Sequence, residues 1–65
     1  MPPMSKIEDI RKAQGLAQED VARAAGLRLR TYQRVEALGR GNSETVRAIA
    51  KALGVPMDDL FEEAS

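Results

Sequence analysis

Two short helical patterns meet at Gly26, and this junction limits the folds open to the chain more than any other feature. The segment ARAAGLRLRTY (residues 22–32) holds the end of one pattern, a glycine, an apolar residue and the start of the next pattern. Gly26 can adopt a positive φ at little cost, so the chain can turn sharply there. Leu27 can fill the angle between the two helices, and the small side chain of Ala22 lets them approach closely. The junction therefore predicts two helices that cross steeply through a short turn.

Apolar residues recur at helical spacing along most of the chain, and glycine follows several of these patterns. Ser5 and Glu8 have the spacing of a capping box for a first helix of about residues 6–14, which ends before Gly15. The later patterns predict four further helices: about residues 18–25, about residues 29–38, a helix capped by Asn42 or Ser43 that ends before Gly54, and a short one after Pro56 that carries Leu60 and Phe61. Three residues of the third helix are expected to face the core: Tyr32, Val35 and Leu38. Since no stretch alternates like a strand, we expect a compact all-α fold of five helices.

A chain of 65 residues is expected to form one domain, and its composition excludes several kinds of site. We expect residues 1–5 to form a flexible arm and residues 6–63 the folded domain. The chain has no cysteine and no histidine, which excludes disulfides and the usual zinc sites. It has no glycine-rich phosphate loop and too few residues to enclose a pocket, so we expect no enzymatic activity, cofactor, metal ion or small-molecule ligand. No apolar run approaches the roughly 18 residues of a membrane span, so we expect a cytoplasmic protein.

Charge is spread unevenly along the chain although its net value is zero. Four arginines fall within thirteen residues and only Glu36 opposes them: Arg28, Arg30, Arg34 and Arg40. Four acidic residues lie close to the end of the sequence: Asp58, Asp59, Glu62 and Glu63. A molecule with one basic face and one acidic end can present a local positive surface to nucleic acid. The alternative is that both groups belong to ordinary solvated helix faces.

Three segments together resemble the phage repressor and Cro family of helix-turn-helix regulators. They are GLAQEDVARAAGL, RTYQRVE and ETVRAIAKALGVPMDDLF, and the resemblance covers about residues 7–61. RTYQRVE is also similar to the recognition helix of restriction–modification controller proteins. The resemblance implies a lambda-repressor-like bundle and a sequence-specific transcriptional regulator or repressor. Its third helix is then expected to enter the major groove of an operator.

The resemblance implies a role for individual residues of this chain. Four residues match positions that face the groove: Leu29, Arg30, Gln33 and Arg34. Arg28 and Thr31 match positions near the DNA backbone and the base edges. Gln18 matches a glutamine that touches the backbone and braces the recognition helix. Arg11 and Glu36 match a buried ion pair that ties the first helix to the third.

The chemistry of the third helix supports these roles independently. Arginine offers a bidentate fork to guanine, glutamine can pair with adenine, and an apolar group can meet a thymine methyl. A leucine at position 29, between two arginines, is then tolerable in water because it contacts thymine in the complex. Three alternatives stay open. Leu29 could be a scattered exposed leucine, the arginines could serve solubility alone, and Arg11 with Glu36 could be an exposed pair of little value.

Two departures from the family pattern affect the expected contacts. Ala17 stands at a helix N-cap where the family usually has serine or threonine, so the amides there are expected to lack a side-chain partner and could meet a DNA phosphate. The family glycine usually follows the glutamate by two residues, but here Gly39 follows Glu36 by three. We therefore expect the third helix to extend slightly. The loop contacts to phosphate are then expected from three residues: Arg40, Asn42 and Ser43.

One domain of this kind contacts too few bases for genome-scale discrimination, so we expect a homodimer on a two-fold site of double-stranded DNA. Without a large oligomerisation domain, the free dimer is expected to be weak. Met57 and Phe61 are the candidates for the dimer contact. A function from another class is a protein-interaction module, such as an antitoxin-like or adaptor domain. The zero net charge favours that alternative, whereas the arginines of the third helix and Gln18 disfavour it.

Overall fold

A computed structural model describes residues 6–60, so the predicted arm, the Ser5 cap and Phe61 lie outside the described residues. The described chain folds into four α-helices and a 3₁₀ turn: α1 (Lys6–Ala13), α2 (Gln18–Ala25), α3 (Leu29–Leu38), α4 (Ser43–Leu53) and the 3₁₀ turn Met57–Leu60. Residues 6–60 contain no strand, which confirms the all-α prediction. The predicted fifth helix is instead the 3₁₀ turn, whose four residues allow no more than about one turn. None of the helices in residues 6–60 has the length and apolar character needed to cross a lipid bilayer.

The bounds of α2 and α3 are those predicted, but α1 ends at Ala13 rather than at Gln14. The amide of Gln14 is shared between the carbonyls of Ile10 and Arg11, both at 3.1 Å, as the chain tightens into the turn. The Gln14 side chain also makes a hydrogen bond to a distant segment. Its Nε2 donates to the carbonyl of Leu53 at 2.8 Å, which ties the end of α1 to the end of α4.

The turn between α2 and α3 has the geometry that the sequence predicts. Gly26 adopts φ 72° and ψ 27°, a left-handed conformation that a residue with a Cβ reaches only under strain. Its N–H donates to the carbonyl of Arg23 at 3.1 Å, and the N–H of Leu27 donates to that of Ala22 at 2.8 Å. These two bonds close the end of α2. Because α3 begins at Leu29, its direction is set directly by this turn.

All four α-helices and the 3₁₀ turn contribute side chains to the core. Ten side chains are buried in it: Ile7, Val21, Ala22, Tyr32, Val35, Val46, Ile49, Ala50, Leu53 and Leu60. Helix α2 packs against both α3 and α4, while the 3₁₀ turn contacts α1 and α4. With one face of α3 committed to this core, its other face is turned outward.

The expectation that Leu38 faces the core is wrong, because 62% of its surface is exposed. The buried face of α3 consists of Tyr32, Val35 and Glu36. At 3.6 residues per turn, Leu38 lies roughly 120° around the helix axis from Tyr32. It also occupies the last residue of α3, just before the turn at Gly39.

Side chains satisfy backbone groups at two helix starts. Asn42 is the N-cap of α4, where its side-chain oxygen accepts from the amide of Thr45 at 2.8 Å. At the start of α2, the carboxylate of Asp20 accepts from the amide of Ala17 at 3.1 Å. This bond satisfies the amide of the N-cap residue itself, whereas the Ala17 side chain makes no capping bond to the amides inside α2, as the sequence predicts. The hypothesis that the amides inside the first turn of α2 meet a DNA phosphate stays a prediction.

Candidate nucleic-acid interface

The outward face of α3 carries a polar strip that no other part of the described chain covers. We define this strip by its exposed residues: Arg30, Thr31, Gln33 and Arg34. Arg28, the exposed residue just before α3, continues the strip toward the turn. The residues expected to face a groove therefore share one surface, with the exception of Leu29.

Leu29 is half-buried and packs partly against the core, so it is not the water-exposed leucine that the sequence suggests. The residue begins α3 directly after the turn, where Leu27 also packs against the core. Contact with the core explains why a leucine is tolerated between two arginines. Only the outer part of its side chain is left for a partner molecule.

Arg11 and Glu36 form a buried ion pair between α1 and α3. Arg11 Nε lies 2.9 Å from Glu36 Oε2, and the two side chains are only 10% and 3% exposed. A second bond joins Arg11 Nη2 to Glu36 Oε1 at 3.2 Å. The remaining nitrogen, Nη1, donates to the carbonyl of Leu16 at 2.8 Å. The guanidinium thus ties the third helix to the first and to the segment before α2.

Glu36 also accepts hydrogen bonds from two neutral side chains. The hydroxyl of Tyr32, which is fully buried, donates to Oε2. The Nε2 of Gln18 donates to Oε1 at 2.9 Å. Each carboxylate oxygen therefore has two donors, and the buried charge is fully satisfied. We call the four residues Arg11, Gln18, Tyr32 and Glu36 the buried polar cluster.

The protonation states in this cluster follow from its geometry. Burial raises the pKa of Glu36, but the hydrogen bonds from Arg11, Tyr32 and Gln18 outweigh it and hold the pKa below its usual value. The hydrogen bond to Glu36 raises the pKa of Arg11 although burial opposes this. Burial and the bond to Glu36 raise the pKa of Tyr32, so its hydroxyl stays a donor. At neutral pH the cluster holds a carboxylate, a guanidinium and a neutral phenol.

Gln33 connects the exposed strip to the buried polar cluster. Its Nε2 donates to Gln18 Oε1 at 3.1 Å. Gln18 thus bonds α3 at two points, once through Glu36 and once through Gln33. This arrangement makes Gln18 a brace between α2 and the outward face of α3.

The arginines of residues 28–40 form no ion pair in the part of the chain that the structure describes. Arg11 pairs with Glu36 and Lys12 pairs with Glu8, and neither pair includes an arginine of this segment. The first turn of α3 contains no acidic residue, and the Arg28 side chain makes no capping hydrogen bond. Positive side chains thus stand beside the positive end of the helix dipole. This end of α3 is suited to a polyanion.

The loop after α3 holds the other residues expected near phosphates. Arg40 and Ser43 are exposed, whereas the side-chain oxygen of Asn42 is occupied by its capping bond. A Cβ on Gly41 would lie 3.0 Å from Val35 Cγ2, so the loop backbone passes close to the core. Sequence reasoning missed this contact, since nothing in the sequence reveals the approach of the two residues.

Three further residues differ in part from what the sequence predicts: Met57, Tyr32 and Asp20. Met57 is half-buried against the core, so less of its side chain is free for a dimer contact than the sequence suggested. Sequence reasoning predicted that Tyr32 is buried but missed its bond to Glu36, although a tyrosine four residues before a glutamate lies on the same helix face. It also missed the hydrogen bond that the carboxylate of Asp20 accepts from the amide of Ala17, three residues earlier in the chain.

Comparison with known proteins agrees with this geometry. A family described as helix-turn-helix matches residues 7–60, which includes all the described helices apart from the first residue of α1. Searches of curated proteins and of solved structures returned no match. The turn at Gly26, the outward strip of α3 and the extent of the match lead to one conclusion. The chain belongs to the Cro/C1-type helix-turn-helix family of DNA-binding regulators.

Proposed function

We propose that the protein is a sequence-specific transcriptional regulator that inserts α3 into the major groove of an operator. The observation that carries this proposal is the exposed polar strip of α3, supported from beneath by the buried polar cluster. The major groove admits an α-helix, and the first residues of a recognition helix reach the base edges. The strip begins in the first turn of α3, where that geometry requires it.

Three side chains of the strip, together with Leu29 beside it, have a chemistry suited to a base edge. Arg30 and Arg34, which lie four residues apart on neighbouring turns, offer planar forks for guanine. Gln33 offers an amide for adenine. The outer part of Leu29 is left to meet a thymine methyl. These four residues are our base-contacting set.

A second group of residues is proposed to contact the DNA backbone. Gln18 uses one amide hydrogen for Glu36, which leaves its second hydrogen for a phosphate. The other members of the group are Arg28, Thr31, Arg40 and the backbone amides of Asn42 and Ser43. Such contacts fix the position of the helix but carry no sequence information.

We further propose that the regulator acts as a homodimer on a two-fold site. One recognition helix reads too few base pairs, whereas specific binding typically exceeds non-specific binding by about 10³–10⁷-fold. Two copies on half-sites about one helical turn apart supply the missing contacts. Because Met57 is partly engaged by the core, we expect the dimer to be weak in solution and to assemble on DNA.

Selection of binding sites from random duplex DNA tests the proposal. We expect enrichment of one sequence arranged as an inverted repeat. Arg30→Ala and Arg34→Ala should each cost about 1–3 kcal/mol on that site and relax one base position. Arg47→Ala, which removes an exposed arginine of α4 outside the proposed contacts, is the matched control and should leave the preference unchanged. An equal loss on all sequences would show that Arg30 and Arg34 contact phosphate only.

The salt dependence of binding separates this proposal from the protein-interaction module. A protein that neutralises several phosphates loses affinity steeply with rising salt, with a slope of about −0.9 per contact. We expect such a slope on the selected DNA. If selection enriches no sequence and the protein binds duplex DNA only weakly, the regulator is refuted and the interaction module is favoured.

A further inference from the structure

Two hydrogen bonds connect a buried carboxylate to an exposed amide. Gln18 Nε2 donates to Glu36 Oε1 at 2.9 Å, and Gln33 Nε2 donates to Gln18 Oε1 at 3.1 Å. Glu36 is buried and Gln33 is exposed. The connection therefore leads from the interior of the protein to the strip that the proposed function assigns to base reading.

The direction of both bonds follows from the chemistry of Glu36. An ionised carboxylate only accepts hydrogen bonds, whereas an amide has a donor side and an acceptor side. Gln18 must therefore turn its NH₂ group toward Glu36, which leaves its oxygen facing Gln33. Gln33 must in turn direct its own NH₂ group toward Gln18. The oxygen of Gln33 is then left for the outside.

The carboxylate at the start of this chain of bonds is held in place. Arg11 donates to both of its oxygens, at 2.9 and 3.2 Å, and the Tyr32 hydroxyl donates to Oε2. Rotation of the carboxylate would break these bonds inside the core. Its lowered pKa keeps it ionised at neutral pH, so it offers no proton that would reverse the direction.

We infer that Glu36 is a positioning residue that fixes the hydrogen-bond polarity of the amide of Gln33. Through Gln18, it makes Gln33 present an accepting oxygen and one remaining N–H to the groove. Adenine matches this pair, since it offers an amino group at N6 beside the accepting N7. Guanine has an accepting oxygen in place of that amino group, so it is disfavoured. The base preference rests on the proposed function, but the polarity itself is a property of the free protein.

The first test measures the polarity without DNA, by NMR of the glutamine side-chain amides. In the native chain we expect the NH₂ signals of Gln18 and Gln33 to be shifted from those of a free glutamine. Gln18→Met removes the link, so the Gln33 signals should move to free values. Arg47→Ala should leave them unchanged. Free-glutamine signals for Gln33 in the native chain, or no change in Gln18→Met, would overturn the inference.

The second test measures the consequence on the selected operator. The adenine that Gln33 reads is replaced by hypoxanthine paired with 5-methylcytosine, which puts an accepting oxygen where the amino group was and keeps the methyl group of the opposite base. We expect the native protein to prefer adenine by about tenfold, Gln33→Ala to show no preference, and both Glu36→Gln and Gln18→Met to retain only about a twofold preference. If Glu36 had only a structural role, Glu36→Gln would weaken both complexes equally. An unchanged ratio in the variants would therefore overturn the inference.

The two tests keep the inference separate from the proposed function. Gln18 is only half-buried, so Gln18→Met carries the test should Glu36→Gln fail to fold. Fixed amide signals in a protein that selects no DNA sequence would refute the proposed function and the base preference, while they would establish the polarity. Selection of an operator together with free amide signals would refute the polarity alone.

Discussion

Arg28 stands where a capping residue would stabilise α3, and its replacement should make the protein more stable. Its φ of −69° and ψ of 145° are those of an N-cap, yet its side chain caps nothing and the first turn of α3 has no acidic residue. Arg28→Asp should supply a cap worth about 1 kcal/mol and reverse an unfavourable charge beside the helix dipole, worth about 0.3–1 kcal/mol. We expect the free energy of unfolding to rise by about 1.5 kcal/mol.

The same change should damage the proposed function. For a domain of this size, the gain corresponds to a Tm raised by roughly 6–12 °C in a calorimetric scan. Binding to all DNA sequences should weaken alike, and the slope of log affinity against log salt should fall by about one unit or more. The opposite effects on stability and binding are what a helix end prepared for phosphate would show.

Three substitutions at this position separate the cap from the charge. Arg28→Ala removes the charge, Arg28→Asn adds a neutral cap, and Arg28→Asp adds a cap with a negative charge. We expect Arg28→Asp to be the most stable variant, followed by Arg28→Asn and then Arg28→Ala. If neither Arg28→Asn nor Arg28→Asp is more stable than Arg28→Ala, the start of α3 does not lack a cap. If Arg28→Asp keeps the native affinity and the native salt slope, Arg28 lies far from any phosphate.

Three further predictions concern the interior. Arg11→Ala leaves Glu36 buried without a counter-charge and should cost about 3–5 kcal/mol in urea unfolding. Glu8→Ala, in a pair whose Lys12 side chain is exposed, should cost under about 0.5 kcal/mol, and similar losses would contradict the buried pair. Because the pKa of Glu36 is lowered on folding, its contribution is complete above the unfolded pKa and disappears as the pH falls through the folded one. Glu36→Gln should thus flatten the acid limb of stability against pH, and an unchanged limb would contradict this. Gly41→Ala should cost about 1–3 kcal/mol because its Cβ would meet Val35 Cγ2 at 3.0 Å, and the cost should shrink in a Val35→Ala background.

Local signals in the sequence were sufficient to predict the four α-helices of residues 6–60, although not the 3₁₀ form of the last turn. Gly26 and Gly39 follow the last residues of α2 and α3 and adopt φ values of 72° and 71°, so the residue type itself marks where each helix ends. Helical spacing was less informative about burial. It placed Leu38 inward because Leu38 follows the buried Val35 by three residues, but Leu38 lies well around the axis from Tyr32 and at the last residue of α3, where 62% of its surface is exposed.

Less of the candidate site could be predicted, because its contacts join distant segments. The pairing of Arg11 with Glu36 was expected from the family resemblance alone, since 25 residues separate them. The bond from Gln33 to Gln18 and the approach of Gly41 to Val35 depend on how the helices pack, which no local pattern encodes. The roles of the strip residues on DNA stay predictions.

The buried and exposed faces of α3 divide two tasks within ten residues of chain. Tyr32, Val35 and Glu36 hold the helix in place, while Arg30 and Arg34 are exposed and outside every ion pair of residues 6–60. Exposed positions of this kind usually change stability by less than about 0.5 kcal/mol when substituted. If Arg30 and Arg34 read bases as proposed, the target of the protein can be changed at positions 30 and 34 without redesign of the scaffold, and this small domain would be a suitable starting point for engineered DNA readers.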